Sequence, residues 1–427
     1  MMPRLTSNAW AWILIVLASI CIRLSAAVWW ESRVPAGERF YFGDSDTYWV
    51  LGQALARGDP YQYLSPERSI FRTPGYPLLL AGLFRVLGTD APVMAARALS
   101  ALLGGGAVAV LGWWTTRLFG ARAGLIAGVL AMIYPGAVAM GAFVLAEAPF
   151  CPFMLAQLAL WGLASQSGQR NRSLLLAATA GLAGAIATLI RPSWLLFTPF
   201  GLLVGLASKD RRHLVTVGAV MLAAFAVGMS PWWIRNACVS GHFVATTLQT
   251  GASLYDGLNP QADGGSNMSF VPDFEAREHA AHPELGPAEF EYQLNRGFDE
   301  AARDWARAHP ARVLELAQIK FLRIWNVWPN EAAFRNPLLR LVVLLSYAPI
   351  LVLSLMGAWR YRRGGWAYAL PWLPAVYFTL LHIVFVGSIR YREPAVLAFM
   401  PLAAGVLARV PPQEVKPRAA ATVGQTT

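Results

Sequence analysis

Charge is what this sequence has least of. Only 14% of its 427 residues are Asp, Glu, Lys or Arg, against about a quarter in a soluble domain, and that shortage argues against an ordinary water-soluble fold. Lysine is nearly absent: three of the 35 basic residues are Lys, so the net charge of +11 rests on arginine, a usage that suggests a GC-rich bacterial source. The basic residues stand in short clusters between apolar runs rather than along one face. They read as topology signals beside anionic lipid, with no nucleic acid as partner. Cysteine is scarce too. Cys21, Cys151 and Cys238 form no CxxC or Cys/His spacing, so neither a disulfide framework nor a zinc site follows. No repeat period suggests a solenoid or an inverted-repeat transporter.

What abounds is apolar surface: 56% hydrophobic residues, with 17 Trp suited to headgroup-level anchoring. A membrane crossing takes about 20 apolar residues. Windows near 9–30, 92–116, 123–145, 148–165, 173–190, 193–208, 213–233, 337–358, 366–386 and 394–409 predict about ten spans in an all-α polytopic membrane protein. The first resembles a signal peptide but lacks a clear cleavage site and is read as a retained helix. Residues 74–88 are apolar but short, which suits an interfacial or re-entrant helix.

Orientation follows from the basic residues in the short connections. Arg4, Arg117 with Arg122, Arg170 with Arg172, Lys209 with Arg211 and Arg212, Arg360 with Arg362 and Arg363, and Lys416 with Arg418 all fall on one side. That side is then cytoplasmic and holds both termini. The other receives a first outer loop, 31–91, and a second outer segment, 236–336, within one membrane domain spanning 1–410. Residues 411–427 read as a disordered cytoplasmic tail. In the second segment, Thr246–Ser269 reads as an irregular loop and Pro287–His309 as a helix. Pro310–Trp328 reads as an interfacial helix with Leu314, Phe321, Trp325 and Trp328 on one face.

Ionisable residues near membrane depth need a reason. Asp44, Asp46, Glu147, Arg191, Arg235, His382, Arg390 and Arg392 all map to the outer ends of spans; Arg23 lies within the first. His382 reads as a hydrogen-bonded structural residue. Carboxylates and guanidiniums gathered at one level from separate helices suit acid/base and phosphate chemistry. In GDSDTYW (Gly43–Trp49), Asp44 is the reactive candidate. Asp46 is expected to cap the helix running through Tyr48 to Ala56, with substrate binding or divalent-metal chelation beside Asp44 left open.

GDSDTYWVLGQALARGDPY followed by FRTPGYPLLL (Phe71–Leu80) resembles the signature of the GT-C superfamily of glycosyltransferases, in the bacterial branch related to protein O-mannosyltransferases and the lipid A aminoarabinose transferase. MIYPGAVAMGAFVLAEAPF with Glu147, LIRPSWLLF with Arg191, PWWIRN with Arg235 and LNPQADGG with Asn259 continue the match. The A-x-x-W-x-x-x-x-P stretch (Ala302–Pro310) and RYREP (Arg390–Pro394) follow, so the motifs run in order from about 40 to 400.

The resemblance implies a GT-C-like helical bundle in a bacterial inner membrane. It implies transfer of a sugar from a polyprenyl-phosphate donor to a lipid, polysaccharide or protein hydroxyl on the periplasmic face. Asp44 becomes the general base. Arg72, Arg191, Arg235 and Arg390 become candidates for holding the phosphate, with Tyr76 and Asn259 as further substrate contacts. For Glu147 three roles stand open: orienting the acceptor, tuning Asp44 by repulsion, or pairing with an Arg, the last being favoured. No cofactor is expected. A lipid flippase and an inactive carrier-binding relative are the competing readings; a flippase calls for polar residues through mid-depth, where these spans carry only Arg23.

Overall fold

The computed structural model describes residues 7–35, 37–208, 210–327 and 336–412. The expectations for Arg4, Lys209, Lys416, Arg418, Trp328 and tail residues 413–427 fall outside them. Every regular element among the described residues is helical.

Six helices are long and apolar enough to cross a membrane: Ala9–Glu31, Val93–Phe119, Glu147–Gln166, Arg170–Ile190, Arg211–Ser240 and Pro337–Arg360. The pair Ala121–Ile133 and Pro135–Ala142, bent by 53°, makes a seventh if it is one broken span. About ten spans are expected from the sequence; the remaining windows form shorter or charged helices, and proline and charge explain the difference. Window 193–208 becomes a 3₁₀ turn, Pro192–Trp194, and a short helix, Phe197–Gly205. Window 366–386 divides at Pro371 and Pro374 into Trp366–Ala369 and Leu373–His382. Window 394–409 starts earlier, as Ile389–Leu407, and carries Arg390, Arg392 and Glu393 in its first turns. That helix is buried from Arg392 to Gly405. It packs on Pro337–Arg360, Ala121–Ile133, Leu373–His382 and Val93–Phe119, so the charged start of the central helix is fixed in place.

Arg23 finds its reason at the bend. Pro135 has no N–H, so the carbonyl of Ala131, four residues back, loses its helical donor. Arg23 Nη2 donates to that carbonyl at 3.2 Å, and Nη1 binds the carbonyl and hydroxyl of Ser19 one turn earlier. The buried guanidinium thus repairs a broken helix.

In the segment between the first two long helices, Gly43–Arg57 packs on Gly75–Leu87, which leans on Arg170–Ile190. The segment expected to be irregular contains a helix, Thr250–Gly257. Pro287–Ala308 and Pro310–Trp325 follow, the latter leaving Leu314 and Phe321 exposed and Leu316 and Ile324 inward.

The approach of Gly75 to the long helix admits no side chain: a Cβ there would lie 2.5 Å from the Leu189 carbonyl carbon and 2.6 Å from the Ile190 nitrogen. Gly75→Ala should cost about 1–3 kcal/mol, the usual range for overpacking, and lower the melting temperature in detergent. Gly82→Ala, on the same helix with nothing within 4 Å, should be neutral or stabilising. Equal behaviour of the two variants would contradict this packing.

Candidate functional site

Asp44 and Asp46 lie in the first turn of Gly43–Arg57, whose N-cap is Phe42 with no side-chain cap bond. Asp46 is therefore not the cap; its Oδ2 accepts from the Tyr63 hydroxyl at 3.2 Å. Asp44 turns the other way. Its Oδ1 accepts from Arg72 Nη2 at 2.7 Å and its Oδ2 from Arg390 Nη2 at 3.1 Å. Thr47 steadies this end, accepting from Arg72 Nε at 3.2 Å and donating to the Asp44 carbonyl at 2.7 Å.

The chain of charges continues. Arg390 Nε lies 2.8 Å from Glu147 Oε1, and Arg191 Nη1 meets the same oxygen at 2.7 Å. Arg191 Nε donates to Ser193 Oγ at 3.1 Å. Aromatic rings floor the guanidiniums: Tyr391 lies 5.4 Å from Arg191 and 5.2 Å from Arg390, and Tyr48 and Phe71 lie under Arg72. His382 stacks on Tyr391 at 4.2 Å, and its Nδ1–H donates to Val386 O at 3.1 Å. Three guanidiniums face two carboxylates, leaving one net positive charge for an anion.

Access divides these groups. Asp44 and Arg390 line a cavity of about 640 Å³, whereas Glu147 and Arg191 are buried behind Arg390. Its lining includes apolar side chains, among them Trp29, Trp30, Phe42 and Phe143, and polar ones, among them Asn259, Gln261, Asp263 and Asn267. Withdrawal from water opposes ionisation of Asp44, but Arg72 and Arg390 outweigh it and hold its carboxyl down to about 2.

Other expected site residues serve the framework. Arg235 Nη1 donates to Ser69 O at 2.8 Å and Nη2 to Tyr61 O at 3.3 Å, bracing the strap before Arg72 from outside the cluster. Tyr76 is fully buried edge-on to Tyr48. Asn259 lines the cavity, but its side chain is used in a turn: Nδ2 donates to Tyr255 O, and Oδ1 accepts from Gln261 N. Asp44 and Asp46 do not converge as a chelating pair. Among the described residues, the grouping with metal-ligand spacing is Glu67, Glu275 and His279, their ligand atoms within 4.8 Å of one another. Arg68 already pairs with Glu275 there at 3.2 Å.

The residue-by-residue reading missed Glu291. It lies on Pro287–Ala308, far from Arg72 in sequence, yet its carboxylate accepts the backbone N–H groups of Ser69 and Ile70 at 2.8 and 3.0 Å. An isolated Glu on the apolar side of an amphipathic helix was the available signal.

Known proteins resemble this helical membrane bundle in part of its sequence and in its fold. Residues 72–234 match the family model for dolichyl-phosphate-mannose-protein mannosyltransferase. The fold is similar to that of the Archaeoglobus fulgidus oligosaccharyltransferase in its apo form: TM-score 0.58 at 14% identity, over 94% of this chain and 51% of that one. The same protein, AglB, in complex with an inhibitory peptide and a dolichol-phosphate gives 0.55 at 17% identity, over 94% and 50%. The chain thus spans about half the length of these structures. ArnT from Cupriavidus metallidurans bound to undecaprenyl phosphate gives 0.43 at 15% identity, over 95% and 78%. Among curated proteins none matches the chain.

Burial raises the Glu291 carboxyl from 4.5 to about 7 against its backbone donors and Arg235. Folding therefore favours the protonated acid; that contribution is complete below about 4.5 and is lost as pH rises through about 7. Glu291→Gln removes the titration and keeps an oxygen for the strap. Its melting temperature should gain on the wild type as pH crosses that window. A difference constant with pH would contradict the assignment.

Proposed function

We propose that this protein is a glycosyltransferase that moves a sugar from a polyprenyl-phosphate donor to an acceptor hydroxyl at the extracytoplasmic face of a bacterial inner membrane. The observation that carries the reading is Asp44, held between Arg72 and Arg390 at the wall of a cavity lined by both apolar and polar residues. The apolar lining suits a lipid chain, and the guanidiniums suit its phosphate.

Asp44 is the base. The acceptor oxygen attacks the anomeric carbon, its proton passes to Asp44, and the bond from that carbon to the phosphate oxygen breaks. Negative charge then grows on the leaving polyprenyl phosphate, beside Arg390 and Arg72. A carboxyl near 2 is a feeble base. The incoming phosphate competes for the same guanidiniums, loosens their hold on Asp44 and raises its basicity where the proton must go. Glu147, enclosed between Arg191 and Arg390, aims Arg390 rather than touching substrate. No divalent metal is required at Asp44 and Asp46, since Arg72 and Arg390 occupy the first and Tyr63 the second.

The sidedness is supported by where the helices end. Glu147–Gln166 and Arg170–Ile190 place Glu147 and Arg191 at one end and the basic turn at 170–172 at the other. Ile389–Leu407 starts at the site and finishes near Arg360, whose guanidinium binds the Val410 carbonyl.

Purified protein in nanodiscs, given a panel of radiolabelled polyprenyl-phosphate sugars, should consume at least one. Asp44→Asn should slow that turnover on the order of 10²–10⁴-fold while still binding donor, and a chelator should leave the wild-type rate unchanged. Binding without turnover by the wild type, for every donor and acceptor tried, would shift the reading to carrier binding or transport. Loss of activity in chelator, restored by one cation, would overturn the metal-independent step.

A further inference from the structure

The cavity that holds Asp44 and Arg390 is lined by a second carboxylate, Glu393, which the proposed chemistry does not use. It is only 6% exposed. Its Oε1 lies 3.5 Å from Arg392 Nε, and Tyr134 approaches the same carboxylate. Arg392 is committed elsewhere: its Nη1 donates to the carbonyls of Ile324 and Asn326, and its guanidinium lies 3.7 Å from the centre of the Tyr347 ring. Among the described residues, Glu393 Oε2 has no hydrogen-bond partner. A buried carboxylate oxygen without a donor is costly, and here it lines a cavity from which a ligand can supply one.

The backbone is shaped to keep it there. A Cβ on Gly136 would lie 2.1 Å from Glu393 Oε2, so the carboxylate rests where only glycine leaves room. Its position relative to Arg390 fixes what it can reach. The two are three residues apart on one helix, hence neighbours on one face with about 5–6 Å between Cβ atoms. A sugar ring attached to a phosphate on Arg390 can therefore reach Glu393, about one helical turn along the same cavity.

We infer that Glu393 is a specificity residue of this site, accepting a hydrogen bond from a ring hydroxyl of the transferred sugar. The inference rests on the glycosyltransferase reading above. It makes the donor a sugar with a free hydroxyl at the position facing Glu393, and it makes a sugar deoxygenated there a poor substrate. A site built to bond a hydroxyl rejects the analogue lacking it far more strongly than an apolar pocket rejects a missing methylene, because its own polar group is left unpaired.

The test compares a polyprenyl-phosphate-linked hexose that the wild type consumes with its monodeoxy analogues, using wild type, Glu393→Ala, Glu393→Gln and Gly136→Ala. For one ring position the wild type should prefer the hydroxylated donor on the order of 10²-fold or more. Glu393→Ala should bring that ratio close to one and leave the ratios at other positions unchanged. Glu393→Gln, which keeps an acceptor oxygen and the side-chain shape, should retain part of it. Gly136→Ala, which displaces the carboxylate without removing it, should also lower it. If the Glu393 and Gly136 variants lose activity evenly across all analogues, with every ratio intact, Glu393 is structural and the inference fails while the transferase reading stands. A wild type that consumes none of the donors removes both.

Discussion

Everything at the outer edge of this bundle depends on a single carboxylate shared by two guanidiniums. Asp44 comes from a short helix after the first span, Arg72 from the strap that follows it, and Arg390 from the start of the most deeply buried helix. Glu147 and Arg191 extend the chain into two further spans. Five charges from separate parts of the sequence are thereby held at one level, and none of them could stay near a membrane alone. Each guanidinium has a ring beneath it, and the strap is braced from outside by Arg235 and Glu291. The result is an ionic platform with one surplus positive charge, beside a cavity lined in part by apolar residues.

Such a platform resolves a conflict between binding and chemistry. On the proposed reading, the arginines that would hold a phosphate also suppress the base that must act beside it, and Arg72 and Arg390 keep Asp44 near 2. On the proposed reading, the ligand relieves the suppression it depends on, because its phosphate takes the arginines' attention. The buried Glu147, itself paired with Arg191, keeps Arg390 from swinging away from Asp44. Arg23 and the Ala131 carbonyl perform a quieter service, stabilising the bend that opens the cavity beside Tyr134 and Gly136.

Much of this was legible in the sequence, for physical reasons. Hydrophobic length announced the six long spans, and the expense of charge near lipid drew attention to Asp44, Glu147, Arg191 and Arg390, which the fold brings together. Roles that depend on distant partners were not legible. Asp46 reads as a cap by local spacing, yet the helix begins three residues earlier and Asp46 faces Tyr63. Arg235 and Tyr76 share motifs with site residues but brace and pack instead. Apolar windows cut by proline, at 193–208 and 366–386, count as spans by composition and fold as short pieces. The polar stretch from Thr246 reads as loop, yet it hides Thr250–Gly257, whose helix is set by packing against Pro287–Ala308 rather than by its own propensity.

The central claim is that the guanidinium cluster exists to hold a lipid-borne phosphate. The most direct measurement is equilibrium binding of a polyprenyl phosphate, and of the matching polyprenol without phosphate, to the wild type and to Arg390→Gln in nanodiscs. The account predicts that the phosphate binds at least about tenfold more tightly than the alcohol, a charge-assisted contact being worth roughly 1.5–3 kcal/mol. Arg390→Gln should erase most of that preference. Equal binding of the two lipids, or a preference that survives loss of the guanidinium, would contradict it.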